Sequence, residues 1–187
     1  MSTEKMPLAG LKVLDLSRVY AGPYCTMMLG DLGAEVIKIE RPGFGDDTRD
    51  FMPKKDGESG YFAYMNRNKK SITLDLKSPK GVEIVKELAK WADVMVENFS
   101  PGVVDKLGIG YKDIVKVNPE IIYGSISGFG QFGPYKSKPA YDVVTQAMGG
   151  FMALTGEKDG TPYKLGPSIV DASAGIHMAF AIMAALY

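Results

Sequence analysis

Alternating and continuous apolar runs along the first part of the chain predict short strands separated by helices. Residues 12–16 (KVLDL) and 34–40 (AEVIKIE) fit a period of two, which is typical of strands. Between them, residues 23–32 are predicted to be helical, with Pro23 at the first position and Gly33 just past the end, where these residues are favoured. A strand, a helix and a strand within about thirty residues predict two parallel neighbours in a sheet.

The same alternation continues to the end of the chain. Further strands are predicted at 71–76, 93–97 and 121–127, and further helices at 78–91, 100–108, 140–148 and from Ser168 onward. One long segment, 41–68, is rich in Gly, Pro and Asp and should be functional or pack on another part of the protein. The pattern predicts an α/β fold with a doubly wound, Rossmann-like parallel sheet.

Composition narrows the class of protein. The 187 residues suggest one domain, with 45% apolar and 24% charged residues as in soluble globular proteins. Lys and Arg (22) balance Asp and Glu (22), so no overall field favours nucleic acid. The single cysteine excludes an internal disulfide, and residues 1–7 lack an apolar signal core. We therefore expect a cytoplasmic protein.

The apolar run at the end of the sequence must be buried against another part of the protein. Residues 176–186 are too few to span a bilayer and include His177, so they predict a buried helix and no membrane partner. The helix is apolar on most faces and lacks a C-terminal cap at Tyr187. We expect residues 1–187 to be the N-terminal portion of a larger domain in a longer polypeptide that forms a homodimer.

Asp171 is the strongest candidate for chemistry. It follows Gly166, Pro167 and the expected N-cap Ser168, and therefore falls in the first turn of the last predicted helix, where the helix dipole favours a carboxylate. Small residues surround it and would allow a ligand to approach closely. A carboxylate in such a place is a candidate covalent nucleophile. A capping residue or a solvated first-turn charge is the alternative.

Several sequence matches to familiar motifs are not supported by the residues around them. Residues 128–133 match G-x-G-x-x-G, but Pro134 and a polar stretch follow, so no helix begins where a dinucleotide phosphate needs one. A loop that closes over another ligand is the better interpretation. Residues 124–128 carry Ile126 where a nucleophile elbow needs serine. His177 is predicted to be a core or interface residue, and one His with one Cys supports no metal site.

Three segments are expected to meet in a ligand cleft. Residues 17–23 follow the first predicted strand, residues 97–102 follow a later one, and Arg41 closes the second. Open α/β sheets bind ligands at the carboxyl ends of their strands. A helix N-terminus after residue 100 would suit an anion.

Seven segments occur in a characteristic order along nearly the whole chain: residues 8–16, 21–23, 32–43, 66–71, 93–99, 127–131 and 140–142. Their order resembles that of family III CoA-transferases, the group that includes formyl-CoA transferase and the carnitine CoA-transferases.

The resemblance implies a role for individual residues. Asp171 would form the acyl-enzyme, and the acyl-CoA and a small carboxylic acid would be substrates, with no metal or other cofactor. The expected CoA contacts are Val19, Tyr20, Ala21, Arg41, Leu74, Lys77, Asn98, Phe99, Lys106 and Lys138. Tyr20 stands where formyl-CoA transferase has glutamine, near the acyl group, so the resemblance does not identify the acyl substrate.

The resemblance also leaves two alternatives to a transferase. Related α-methylacyl-CoA racemases share the aspartate but use a histidine as a second acid/base, at the position of Tyr141. Tyrosine is a poor base near neutral pH, which favours a transferase. A truncated CoA-binding domain without activity is the other alternative. The family further implies an interlocked homodimer and a second domain beyond Tyr187.

Overall fold

A computed structural model describes residues 6–187 and shows an α/β fold. The strands are β1 (Lys12–Asp15), β2 (Glu35–Glu40), β3 (Lys54–Lys55), β4 (Glu58–Ser59), β5 (Lys69–Thr73), β6 (Val94–Glu97) and β7 (Ile122–Ser125). The α-helices are α1 (Ala21–Asp31), α2 (Gly60–Met65), α3 (Pro79–Trp91), α4 (Val103–Leu107), α5 (Tyr111–Ile114), α6 (Asp142–Met148) and α7 (Ile169–Leu186).

Five parallel strands form the main sheet in the order β5-β2-β1-β6-β7. Successive side chains of a strand point to opposite faces, so Val13 packs with α1 and α7 while Leu14 packs with α3, α4 and α5. Helices therefore cover both faces, and the predicted doubly wound parallel sheet is confirmed. Because every strand runs the same way, the loops after β1, β2, β5 and β6 meet at one edge.

Several predicted boundaries differ from the structure by a few residues, and two of these differences have identifiable reasons. Helix α1 begins at Ala21, so Pro23 occupies its third position, where a backbone N–H is still not needed. Strand β5 ends at Thr73 instead of residue 76. The alternation continues past its end because Leu74 and Leu76 turn onto the core beside α3.

The long segment 41–68 is ordered and packs against the carboxyl edge of the sheet. It contains a short 3-10 helix (Asp47–Asp50), the hairpin of β3 and β4, and α2. Arg49 anchors it, because its Nε and Nη2 donate to Glu40 at 2.7 Å each and its guanidinium lies 3.8 Å from the Phe62 ring. Neither this internal structure nor α5 was predicted from the sequence.

Helix α7 packs along α1 on one narrow face. Only Gly175, Ala179 and Ile182 are buried among its 18 residues, so the prediction of a buried helix is wrong for the described chain. Phe180 and Ile176 are exposed. In the described residues, α7 is the one helix long and apolar enough to cross a membrane, a test that core helices of soluble proteins also pass.

Gly175 is the point of closest approach between α7 and α1, and it yields a stability prediction. A Cβ placed there would lie 2.7 Å from the Ala21 carbonyl oxygen and 3.3 Å from the Cys25 nitrogen. Gly175→Val should therefore push the helices apart and lower the free energy of unfolding by about 2 kcal/mol or more. Urea denaturation measures this effect. Ala174→Val, at the neighbouring half-buried position, is the control and should cost clearly less.

Candidate functional site

A groove of about 540 Å³ opens at the carboxyl edge of the sheet. Four of the predicted CoA contacts line it together: Arg41, Leu74, Lys77 and Phe99. They come from the loops after β2, β5 and β6, as expected for a parallel sheet. Two grooves of about 580 Å³ each lie at the opposite edge and hold none of the predicted site residues.

The loop after β1 borders this groove and carries three more predicted contacts, Val19, Tyr20 and Ala21. Asn98, itself a predicted contact, holds the loop by a pair of hydrogen bonds to Arg18: its Oδ1 accepts from the backbone N–H at 2.9 Å and its Nδ2 donates to the carbonyl at 2.7 Å. The loop is therefore tied directly to the end of β6.

A positive rim borders the mouth of the groove. Asp47 lies between two guanidinium groups, at 3.3 Å from Arg18 Nη1 and 2.6 Å from Arg41 Nη2. Both arginine side chains remain about half exposed, at 51% and 55%. Two arginines and one aspartate leave a net positive charge, which suits phosphate groups. The sequence analysis did not single out Arg18.

Six of the ten predicted CoA contacts are not among the residues that line the groove: Val19, Tyr20, Ala21, Asn98, Lys106 and Lys138. Lys106 is exposed on α4, and Lys138 lies in the loop before α6, where its Nζ stands 4.1 Å from the Tyr135 ring. Neither side chain lines the groove. Their roles stay predictions from the family resemblance.

Asp171 lies in the first turn of α7, as predicted, where that helix packs on the start of α1. Burial, and then the nearby carboxylate of Asp142, raise the pKa of Asp171 to about 6. Both effects disfavour the ionised form and outweigh the helix dipole that the sequence analysis emphasised. A solvated first-turn charge does not describe this residue.

Asp142, at the start of α6, caps α7 and was missed from the sequence. Its Oδ1 accepts from the backbone N–H groups of Val170 at 2.8 Å and Asp171 at 3.1 Å. Its Oδ2 accepts from the buried Gln146 side chain. Ser168, the expected capping residue, makes no side-chain capping bond. Because Asp142 lies 28 residues before Val170, the sequence around the start of α7 gives no sign of this cap.

Aromatic side chains from separate parts of the chain gather beside Asp171. The ring centres of Tyr20 and Tyr61 are 6.0 Å apart, and Phe51 lies 5.3 Å from Tyr61. Burial raises the pKa of both tyrosines, and Asp171 contributes to each shift. Tyr61 and Phe51 belong to the segment 41–68, which is how that segment reaches the site.

The remaining motifs agree with the sequence analysis in part. No helix begins at the glycine-rich loop 128–133, because α6 starts at Asp142. His177 is exposed, with its Nδ1 2.7 Å from the Ser173 carbonyl oxygen, so a core position is wrong. Within residues 6–187, no group of three or more His, Cys, Asp or Glu residues is placed to hold a metal ion.

A family model described as CoA-transferase family III matches residues 8–187. The chain belongs to this family. The succinyl-CoA:glutarate CoA-transferase of Mus musculus is 54% identical over 181 residues, which cover 96% of this chain and 42% of that protein. The formyl-CoA:oxalate CoA-transferase of Afipia carboxidovorans is 46% identical over 181 residues, covering 96% of this chain and 42% of that protein.

A solved structure supports the fold of this family III member. A CAIB/BAIF family protein from Brucella suis superimposes with a TM-score of 0.92 at 46% identity, covering 97% of this chain and 49% of that one. The chain thus spans less than half the length of the curated relatives described above.

Proposed function

We propose that this chain forms the CoA-binding part of a CoA-transferase that moves CoA from an acyl-CoA donor to a carboxylic acid. The observation that carries the proposal is Asp171, a half-buried carboxyl with a raised pKa in the first turn of α7, which packs on the start of α1. The loop that leads into α1 contributes Ser17 and Arg18 to the groove lined by Arg41 and Lys77. Membership of family III supports the same activity.

In the proposed reaction, the ionised Asp171 attacks the donor thioester carbonyl and expels CoA as a thiolate, giving a mixed anhydride. The thiolate attacks the aspartyl carbonyl, releases the donor acid and leaves an aspartyl-CoA thioester. The acceptor carboxylate attacks this thioester, forms a second mixed anhydride with Asp171 and expels the thiolate again. The thiolate then attacks the acceptor carbonyl of that anhydride, which gives the new acyl-CoA and releases the Asp171 carboxylate. The covalent route preserves the energy of the thioester.

Different residues are proposed to bind CoA and to protect the anhydride from water. Arg41 and Lys77 would bind CoA phosphates, Leu74 and Phe99 the adenine, and the start of α1 the thioester end. Tyr20 and Tyr61 would exclude water, since hydrolysis of an anhydride would discard its energy. Lys106 and Lys138 are proposed as further phosphate contacts, and a second copy of the protein as a partner in a reducing cytoplasm.

The acceptor is proposed to be a small dicarboxylic acid. Two relatives carry names that pair an acyl-CoA with glutarate or oxalate. The single net positive charge contributed by Arg18, Arg41 and Asp47 lies at the groove mouth, where it would suit the CoA phosphates.

Mass spectrometry of the complete polypeptide tests this proposal. Incubation with succinyl-CoA, acetyl-CoA or formyl-CoA should add the mass of CoA to the peptide that contains Asp171, and glutarate or oxalate should remove it. Hydroxylamine, which cleaves thioesters and anhydrides, should also remove it. An unmodified Asp171 peptide under conditions of turnover would contradict the covalent mechanism.

Proton exchange separates the proposed transferase from a racemase. Tyr141 is 78% exposed and stands immediately before α6, so no strong base faces the acyl α-carbon from its position. When a 2-methylacyl-CoA is incubated with the protein in heavy water, NMR should detect no enzyme-dependent deuteration at the α-carbon. Rapid exchange would move the assignment to a racemase.

A further inference from the structure

Side chains hydrogen-bond to the backbone of consecutive residues in the loop after β1 (Ser17–Tyr20) and so hold it in place. Ser17 donates from its N–H to Asp15 at 2.9 Å and accepts from Lys38 Nζ through its carbonyl at 2.7 Å. Arg18 is held at both backbone groups by Asn98. A surface loop rarely has so many of its backbone groups bonded to side chains from other elements.

Val19 adopts a conformation that its side chain disfavours. Its φ is +66°, in the left-handed region, which is uncommon for a β-branched residue. Such conformations persist where the surroundings impose them and are concentrated at functional sites. Here the backbone N–H of Val19 points at the carboxylate of Asp46, with Oδ1 and Oδ2 at 3.3 and 3.4 Å.

Asp46 and Lys38 form a buried ion pair beneath this loop. Their charged atoms are 2.9 Å apart, and each side chain is only 1% exposed. Burying two charges is costly unless further hydrogen bonds satisfy both groups. Each partner makes such a bond to the loop: Lys38 to Ser17 and Asp46 to Val19. Asp46 also accepts from the N–H and hydroxyl of Thr48, which ties the segment 41–68 to the same point.

A second buried pair supports the other side of the loop. Lys69 Nζ lies 3.0 Å from Asp15 Oδ2 and donates to the Pro23 carbonyl in the first turn of α1 at 2.9 Å. Gly22 allows this turn to approach the loop, because a Cβ there would lie 2.2 Å from the Ser17 Cβ. The loop and the helix start thus form one preset unit.

We propose that Lys38 and Asp46 are positioning residues that hold Val19 in its left-handed conformation and thereby place Tyr20 and Ala21 beside Asp171. This inference rests on the proposed transferase activity. Neither residue touches the reacting atoms. They act through the loop, which joins the groove-lining Ser17 and Arg18 to the start of α1, the helix on which α7 packs.

The test measures kcat/KM for two variants of the complete polypeptide. One is Asp46→Ala, and the other is the double variant Asp46→Ala/Val19→Gly. Loss of the carboxylate should let Val19 leave the left-handed region and lower kcat/KM for acyl-CoA by about ten- to a hundredfold. Glycine adopts that region without a steric cost, so Asp46→Ala/Val19→Gly should recover a large part of the loss. Asp46→Asn, which keeps an acceptor for Val19, should lose less than Asp46→Ala and serves if the alanine variant does not fold.

Val85→Ala is the matched control for a purely structural effect. Val85 is a fully buried residue of α3, and its hydrophobic cluster contains none of the loop residues 17–20. This change should lower the melting temperature and leave kcat/KM unchanged. Wild-type kcat/KM in the Asp46 variants, or no recovery with Val19→Gly, would overturn the positioning role. A wild-type protein that turns over none of the acyl-CoAs would instead refute the proposed function on which it rests.

Discussion

Asp171→Asn is expected to lower the rate of CoA transfer at least about a thousandfold, since it removes the atom that forms the covalent bond. CoA binding should change little, because the groove residues that would hold CoA are separate from Asp171. Steady-state transfer assays and isothermal titration calorimetry with CoA measure the two effects. A transfer rate within tenfold of wild type would show that Asp171 is not the nucleophile.

The stability of the same variant gives a control against simple unfolding. The pKa of Asp171 rises from 3.8 to about 6 on folding. Folding therefore favours the protonated form: its contribution to stability is full below pH 3.8 and is lost as the pH rises through about 6. At pH 7 the wild type carries a disfavoured charge that asparagine lacks. Asp171→Asn should thus unfold at the same or a higher urea concentration at pH 7, and the difference should vanish near pH 3.8.

The sequence predicted the sheet because its signals are local. The alternation in residues 34–40 and the Pro and Gly at the ends of helices are set by neighbouring residues, and the five-stranded parallel sheet followed from them. The same alternation misplaced the end of β5, because Leu74 and Leu76 obey it while packing outside the sheet. The alternation of apolar and polar residues does not by itself show where the hydrogen bonds between neighbouring strands end.

The residues that line the groove were predicted where they follow strands. Arg41 and Phe99 follow strands that end at the shared edge, and the structure brings them together. Lys38 appears in the sequence as one polar position in a strand, and nothing local shows that Asp46 neutralises it inside the protein. Asp142 was missed for the same reason, since both of its partners in α7 are distant in sequence.

Asp142→Asn should shift the pH dependence of transfer and keep α7 capped. Asparagine keeps a side-chain oxygen that accepts from the N–H groups of Val170 and Asp171. Its amide nitrogen replaces the oxygen that accepts from Gln146, and the loss of that bond should lower the free energy of unfolding by about 1 kcal/mol. The substitution removes the negative charge that helps to raise the pKa of Asp171. The nucleophile then ionises at lower pH. The rising limb of the wild-type kcat/KM profile is expected near the pKa of Asp171, about 6, and in Asp142→Asn it should lie at lower pH.

Asp142→Ala separates this charge effect from the cap, because it removes both. The pH profile should move in the same direction as in Asp142→Asn, and the loss of the cap should also lower the free energy of unfolding by about 1 kcal/mol or more. Glu157, an exposed acid in the loop before α7, supplies a control: Glu157→Gln removes one charge and should leave both the profile and the stability unchanged. If Asp142→Asn destabilises the protein as much as Asp142→Ala and leaves the pH profile in place, Asp142 acts through structure and its charge does not tune Asp171.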